Sequence, residues 1–206
     1  MIVIVDYGMG NLGSTLNMLK KIGVKSLVSA DPGAIQSATK IILPGVGAFD
    51  EGMKNLKQRG LISVLEKKAL EEKVPVLGIC LGMQLLSKES AEGHQAGLGW
   101  VDATTTHFNF SPDIAAKLKV PHMGWNTIAP QISDDPLLKN PLHEMRFYFV
   151  HSFHLACNQP ENVVALTHHG YDFPSIIRSG KIYGTQFHPE KSHRFGMRLF
   201  KNFVEM

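Results

Sequence analysis

Val74-Pro75-Val76-Leu77-Gly78-Ile79-Cys80-Leu81-Gly82-Met83-Gln84-Leu85-Leu86 is an apolar run with glycines on both sides of a single thiol. It predicts a buried β-strand that turns sharply at 78–82 into an apolar-faced helix. A nucleophile on such a turn needs small neighbours, because the backbone is strained there and a substrate must come close. The helix start adds free N–H groups and the positive end of a dipole, which stabilise a thiolate. Taken alone, the stretch fits a buried structural cysteine equally well.

A second stretch decides between the two. Ile182-Tyr183-Gly184-Thr185-Gln186-Phe187-His188-Pro189-Glu190-Lys191-Ser192 reads as another apolar strand with a polar tip. His188 and Glu190 are two apart, so extended backbone sends both side chains to one face. Pro189 fixes the backbone between them and carries no N–H. A histidine with a carboxylate on one side and a thiol on the other is the base of a nucleophilic triad. Cys80, His188 and Glu190 are therefore the expected catalytic residues.

Around these stretches, short apolar runs alternate with helical patterns. Strands are expected at Ile2–Asp6, Ser26–Ser29, Lys40–Leu43 and Val74–Ile79, and helices at Leu12–Ile22 and over most of Gly52–Lys73. This alternation predicts an α/β fold, a mostly parallel sheet flanked by helices, in one domain spanning residues 1–206. Between about residues 97 and 179, short β-like pieces separated by Pro, Asn, Asp and Gly predict additional, partly antiparallel strands. A last helix is expected at Gly196–Val204.

Composition narrows the classes. The 206 residues are 44% hydrophobic, enough for a sizeable core. A net charge of +3 with no basic run argues against nucleic acid. No apolar stretch reaches the length of a membrane span. Two cysteines in a chain of this length imply a reducing compartment. Met1 leads straight into core strand, so no signal peptide is expected. Together these predict a soluble, cytoplasmic protein. His151-x-x-His154 and His168-His169 lack a nearby cysteine at zinc spacing, so no metal is expected.

Pro44-Gly45-Val46-Gly47 ends a strand at the same carboxyl edge, where α/β sites form. Acyl chemistry needs two N–H donors aimed at a developing oxyanion. Leu81 can supply one from the helix start, and the turn the other, through Val46 or Gly47.

Gly78-Ile79-Cys80-Leu81-Gly82-Met83-Gln84, together with Gln186-Phe187-His188-Pro189-Glu190-Lys191-Ser192, resembles the class I glutamine amidotransferases. Leu43–Phe49, Val120–Asn126 and Tyr148–Ser152 extend the likeness over essentially the whole chain, to the glutaminase subunits of imidazole glycerol phosphate synthase. The resemblance implies a flavodoxin-like fold and hydrolysis of glutamine to glutamate and ammonia through a Cys80 thioester, with no cofactor. It implies a heterodimer with a (β/α)8 cyclase subunit, which uses the ammonia to make imidazole glycerol phosphate and AICAR in histidine biosynthesis. Gln84, Gly45 and the backbone of His151, Ser152 and Phe153 would hold glutamine. Asn11, Met123, Trp125, Asn126 and Lys191 would face the partner.

The loop Gly8-x-Gly10-x-x-Gly13, with Asp31 downstream, also fits a dinucleotide fingerprint. The resemblance ranks partner contact above a plain tight turn, and both above nucleotide binding. Three other functions compete. A paralogue could feed ammonia to another acceptor, such as a surface-polysaccharide sugar, and the tail Lys191–Met197 departs from the histidine-pathway pattern. A vitamin B6 type glutaminase is disfavoured by Pro121–Asn126. A non-catalytic regulatory subunit is disfavoured by the complete triad.

Overall fold

Ile2–Val5 (β1), Ser26–Ser29 (β2), Lys40–Gly45 (β3) and Val76–Cys80 (β4) pair in parallel, in the order β2-β1-β3-β4. They belong to a computed structural model that describes residues 1–206. Successive residues of these strands pack on opposite faces of the sheet, so both faces are apolar. Val3 and Val5 join a core with Ile35, Phe49, Leu56 and Leu65. Ile2 and Ile4 join another with Leu19, Leu199, Phe200 and Phe203. The helices that supply those partners are Leu12–Lys21 (α1), Pro32–Gln36 (α2), Phe49–Gln58 (α3), Ile62–Glu66 (α4) and His193–Glu205 (α7).

The second half adds Glu89–Ser90 (β5), Ala103–His107 (β6), His122–Thr127 (β7), Ala129–Pro130 (β8), Arg146–His151 (β9), Phe153–Cys157 (β10), Val163–His168 (β11), Asp172–Ser179 (β12) and Ile182–Thr185 (β13). Strand β13 inserts parallel to β4, and β12, β11 and β8 continue the sheet antiparallel to eight strands. Strands β10-β6-β5 and the antiparallel pair β7-β9 form two smaller sheets. The mixed sheet agrees with the expected fold class. Two short helices, Leu81–Gln84 (α5) and Pro112–Ala115 (α6), complete the elements.

Three expected elements differ. The helical stretch 52–73 is broken: α3 ends at Gln58, Gly60 takes φ +65°, and α4 runs on into a π-helical turn at Lys67–Glu71. A glycine in that conformation terminates a helix. The helix after Cys80 is a single turn, which weakens the dipole argument for the thiolate. The last helix begins three residues earlier than expected, at His193.

Gly82 has to be glycine. A Cβ there would be driven into the carbonyl of Leu43 on the neighbouring strand, a backbone group that cannot yield. Gly82→Ala is expected to destabilise the fold by roughly 1–3 kcal/mol. The check is the urea midpoint, and a midpoint equal to that of the parent protein would contradict this packing.

Candidate active site

Register brings the site together. Gly45 at the end of β3 lies beside Cys80 at the end of β4, and Thr185 of β13 lies beside Ile79. Three adjacent strands therefore deliver the glycine loop, the thiol and the His188 segment to one carboxyl edge, where open α/β sheets form their sites. Cys80 sits at φ +53°, ψ −110°, a strained conformation for a residue with a Cβ. Gly45 allows the close approach behind it. A Cβ there would lie 2.5 Å from the Tyr7 hydroxyl and 2.7 Å from the Gly82 nitrogen.

His188 and Glu190 meet, but not by strand alternation. Strand β13 stops at Thr185, and Pro189–Lys191 forms a 3-10 turn that begins with the proline. That turn curls the carboxylate back onto the ring, with His188 Nδ1 2.8 Å from Glu190 Oε1. The histidine backbone is pinned on both sides. Its N–H donates to the Tyr148 carbonyl at 2.9 Å, and its carbonyl accepts the Ser192 hydroxyl at 2.6 Å. Both side chains are almost wholly buried, at 1% and 2% exposure.

Nε2 of His188 is buried without a hydrogen-bond partner of full geometry. Burial alone would lower the affinity of this ring for a proton. Interaction with Cys80 and then Glu190, first as hydrogen-bond partners and then as charges, outweighs it and raises the pKa to about 10. The thiol thus stands close enough to couple with the ring, short of a fully formed bond. Apo catalytic hydrogen bonds are often of this kind and tighten around substrate. The other contacts of Sγ are Gln186 Nε2, which donates at 3.7 Å, and the Val150 carbonyl, which can accept at 4.0 Å.

The second thiol contrasts with the first. Burial, and then Asp102, push Cys157 up to about 11, which keeps it protonated and unreactive at neutral pH. Tyr7 is completely buried. Burial, and then the charge of Cys80, raise its pKa, so it remains a neutral hydroxyl.

A cleft of about 290 Å³ opens onto Cys80. Its walls include Val46, Gly47, Leu81, Gln84, His151, Ser152 and Phe153, which unites the expected oxyanion and substrate residues. Gly45 lies just behind, in register with Cys80. Gly47 takes φ +120°, open to glycine and strained for other residues. Gln84 is buried, and its Nε2 donates to the Phe153 carbonyl at 3.0 Å and to Gln186 Oε1 at 3.2 Å. That arrangement rules out an ordinary surface amide.

Sequence reasoning missed Pro121, Val150 and Glu92, which also line the cleft. Glu92 Oε2 accepts the Phe49 N–H at the start of α3, at 2.9 Å. Asp50 anchors the same loop by accepting the N–H groups of His94 and Gln95, and these bonds hold its carboxyl below the usual range. No spacing in the sequence marks Glu92. Only the folded loop brings it to the wall.

Among the residues expected to face a partner, Met123 is 63% and Trp125 40% exposed on the same side of β7. Trp125 stacks on His193 with ring centroids 5.6 Å apart. Lys191 stands 5.7 Å over the Tyr148 ring, next to Trp125. Helix α1, which Asn11 precedes, packs against the Pro189–Lys191 turn. Asn126 departs from the expectation, because its amide turns inward to His122 and to the His168 carbonyl. In the first loop, Gly10 (φ +99°, strained for other residues) backs against Pro44 and Gly45, where a Cβ would lie only 3.0–3.1 Å from their backbone. That close packing accounts for the glycine without a nucleotide. His151 and His154 spend both ring nitrogens on protein partners.

Residues 3–206 match the family model described as Glutamine amidotransferase class-I. The imidazole glycerol phosphate synthase subunit HisH 2 of Methanococcus maripaludis is 50% identical over 205 residues, covering 100% of this chain and 99% of that one. The protein of the same name from Pseudomonas aeruginosa is 46% identical over 206 residues, with full coverage of both. A crystal structure of a glutamine amidotransferase superposes with a TM-score of 0.76 at 21% identity, covering 100% of this chain and 98% of that one. This last likeness speaks to the fold.

Proposed function

Because this chain belongs to the class I glutamine amidotransferases, among the HisH-type subunits, we propose that Cys80, His188 and Glu190 hydrolyse glutamine to glutamate and ammonia. The observation that carries the proposal is the convergence, at three adjacent strand ends, of a strained thiol, a buried His–Glu pair and a glycine loop around one cleft. His188, oriented by Glu190, holds the thiol's proton as an imidazolium, and Cys80 attacks the side-chain amide carbon as the thiolate. The N–H groups of Leu81 and of Val46 or Gly47 hold the tetrahedral oxyanion. His188 then gives its proton to the departing ammonia. Water adds to the thioester and releases glutamate and the free thiol.

The walls suggest how glutamine is held. Gln84 and the His151–Phe153 backbone bind its main-chain end, with Gly45 leaving room beside the thiol. Glu92 supplies the carboxylate that an α-ammonium group requires. Glu92→Gln is expected to raise the KM for glutamine about tenfold with little change in kcat, since a charged hydrogen bond is lost equally from ground and transition states. Unchanged KM would remove Glu92 from the substrate site.

Ammonia made in a cleft is useful only where an acceptor receives it before it escapes. The two HisH relatives are named as subunits of imidazole glycerol phosphate synthase, and this chain carries exposed Met123 and Trp125 beside Lys191. The proposed partner is therefore the (β/α)8 cyclase subunit, in a heterodimer contacted through Asn11, Met123, Trp125 and Lys191. The product of the pair would be imidazole glycerol phosphate with AICAR, in the cytoplasm. No helix is long and apolar enough to cross a membrane.

A second acceptor, fed by a paralogue, has one observation in its favour: the tail Lys191–Met197 departs from the histidine-pathway pattern. Ammonia release from glutamine, measured with and without the cyclase and its nucleotide ligand, separates the two. Strong stimulation is expected, and indifference to the cyclase would transfer the assignment to the paralogue.

A further inference from the structure

Strand β7 pairs with β9 so that His122 stands opposite His151, beneath the glutamine cleft. The Asn126 side chain cannot be turned over. Its Oδ1 accepts the Thr127 N–H at 2.8 Å and its Nδ2 donates to the His168 carbonyl at 2.9 Å. The remaining Nδ2 hydrogen points at His122 Nε2, 3.1 Å away, which must accept it. A neutral imidazole that accepts at Nε2 carries its hydrogen on Nδ1.

The other end makes the same demand. The Phe153 carbonyl can only accept, so His151 Nδ1 donates to it across 2.8 Å and His151 Nε2 must accept. Both ends thus require His122 Nδ1–H to donate to His151 Nε2, at 3.0 Å. Burial, and then the neighbouring His169, hold His122 at about 4, and burial chiefly holds His151 low, so both rings are uncharged at neutral pH. The line does not stop at Phe153. The same carbonyl accepts Gln84 Nε2, Gln84 reaches Gln186, and Gln186 donates to Cys80 Sγ.

We propose that His122 is a positioning residue for glutamine: its Nδ1–H fixes the His151 ring, which pins the His151–Phe153 turn and the carbonyl that holds Gln84. The side chain of His122 is absent from the cleft wall and acts only through His151. The chain starts at Asn126, one residue from exposed Trp125, so it also joins the surface strand β7 to the substrate turn.

The role in glutamine binding rests on the glutaminase function above, but the hydrogen-bond chain can be read without any turnover. Long-range 15N–1H NMR of the intact protein at neutral pH is expected to find both His122 and His151 protonated at Nδ1 and bare at Nε2. Hydrogen on Nε2 of either ring would overturn the chain, whether or not the protein cleaves glutamine. His122→Phe keeps an aromatic ring but removes the donor. It is expected to raise the KM for glutamine about tenfold while kcat stays within about threefold. His122→Asn, which restores an N–H near the Nδ1 position, is expected to recover most of that loss. A KM in His122→Phe equal to that of the parent protein, or no recovery in His122→Asn, would overturn the positioning role. A parent protein that releases no ammonia would instead contradict the glutaminase function.

Discussion

Cys80→Ala is expected to lower kcat for glutamine hydrolysis by about 10⁴-fold or more while the fold and partner binding persist. No other side chain can take over. Cys157 is the only other cysteine, and its pKa of about 11 leaves it protonated at neutral pH. The substitution is mild for the fold, since it removes one buried sulfur from a turn whose strain comes from the Cβ that alanine retains. Ammonia release and the thermal midpoint together check this. Turnover near that of the parent protein would refute the nucleophile.

Glu190→Gln is expected to cost on the order of 10³–10⁴-fold in kcat, nearly as much, without removing any reacting atom. The carboxylate accepts the Nδ1 hydrogen of His188 across 2.8 Å, so that Nε2 is the ring nitrogen left to exchange a proton with the thiol. An amide can present its N–H instead, and the ring would then carry its proton on the wrong side. The same variant has a signature in stability. Burial disfavours the His188 imidazolium, yet hydrogen bonding to Cys80 and Glu190, and then their charges, keep it protonated up to about 10, against an ordinary value of 6.5. The pair therefore stabilises the fold fully below pH 6.5, and that contribution is lost as pH rises towards 10. Glu190→Gln removes one of the two anions, so the fall in Tm between pH 6.5 and 10 is expected to become shallower. An identical Tm–pH profile would show that Glu190 does not hold the proton.

The candidate site was legible in the sequence because its parts are local. A thiol between Gly78 and Gly82, and a histidine two residues from Glu190, carry their chemistry in short windows. The parallel half of the sheet was legible for a similar reason, since its apolar runs are separated by helical periodicity. What the sequence hid depends on long-range register. Glu92 reaches the cleft only because its loop is tied to Asp50 and Phe49. His122 and His151 meet only through the pairing of β7 with β9. Local chemistry also misled where two rules competed. Alternation placed His188 and Glu190 on a common strand face, whereas Pro189 starts a 3-10 turn and brings them together by curling. Apolar periodicity marked 52–73 as largely helical but not the break at Gly60.

The central claim is that glutamine becomes bonded to Cys80, and rapid acid quenching during turnover followed by peptide mass mapping tests it most directly. A glutamyl thioester on the peptide that contains Cys80, absent from Cys80→Ala, is the predicted result. An adduct on Cys157, or turnover with no adduct on either thiol, would contradict it.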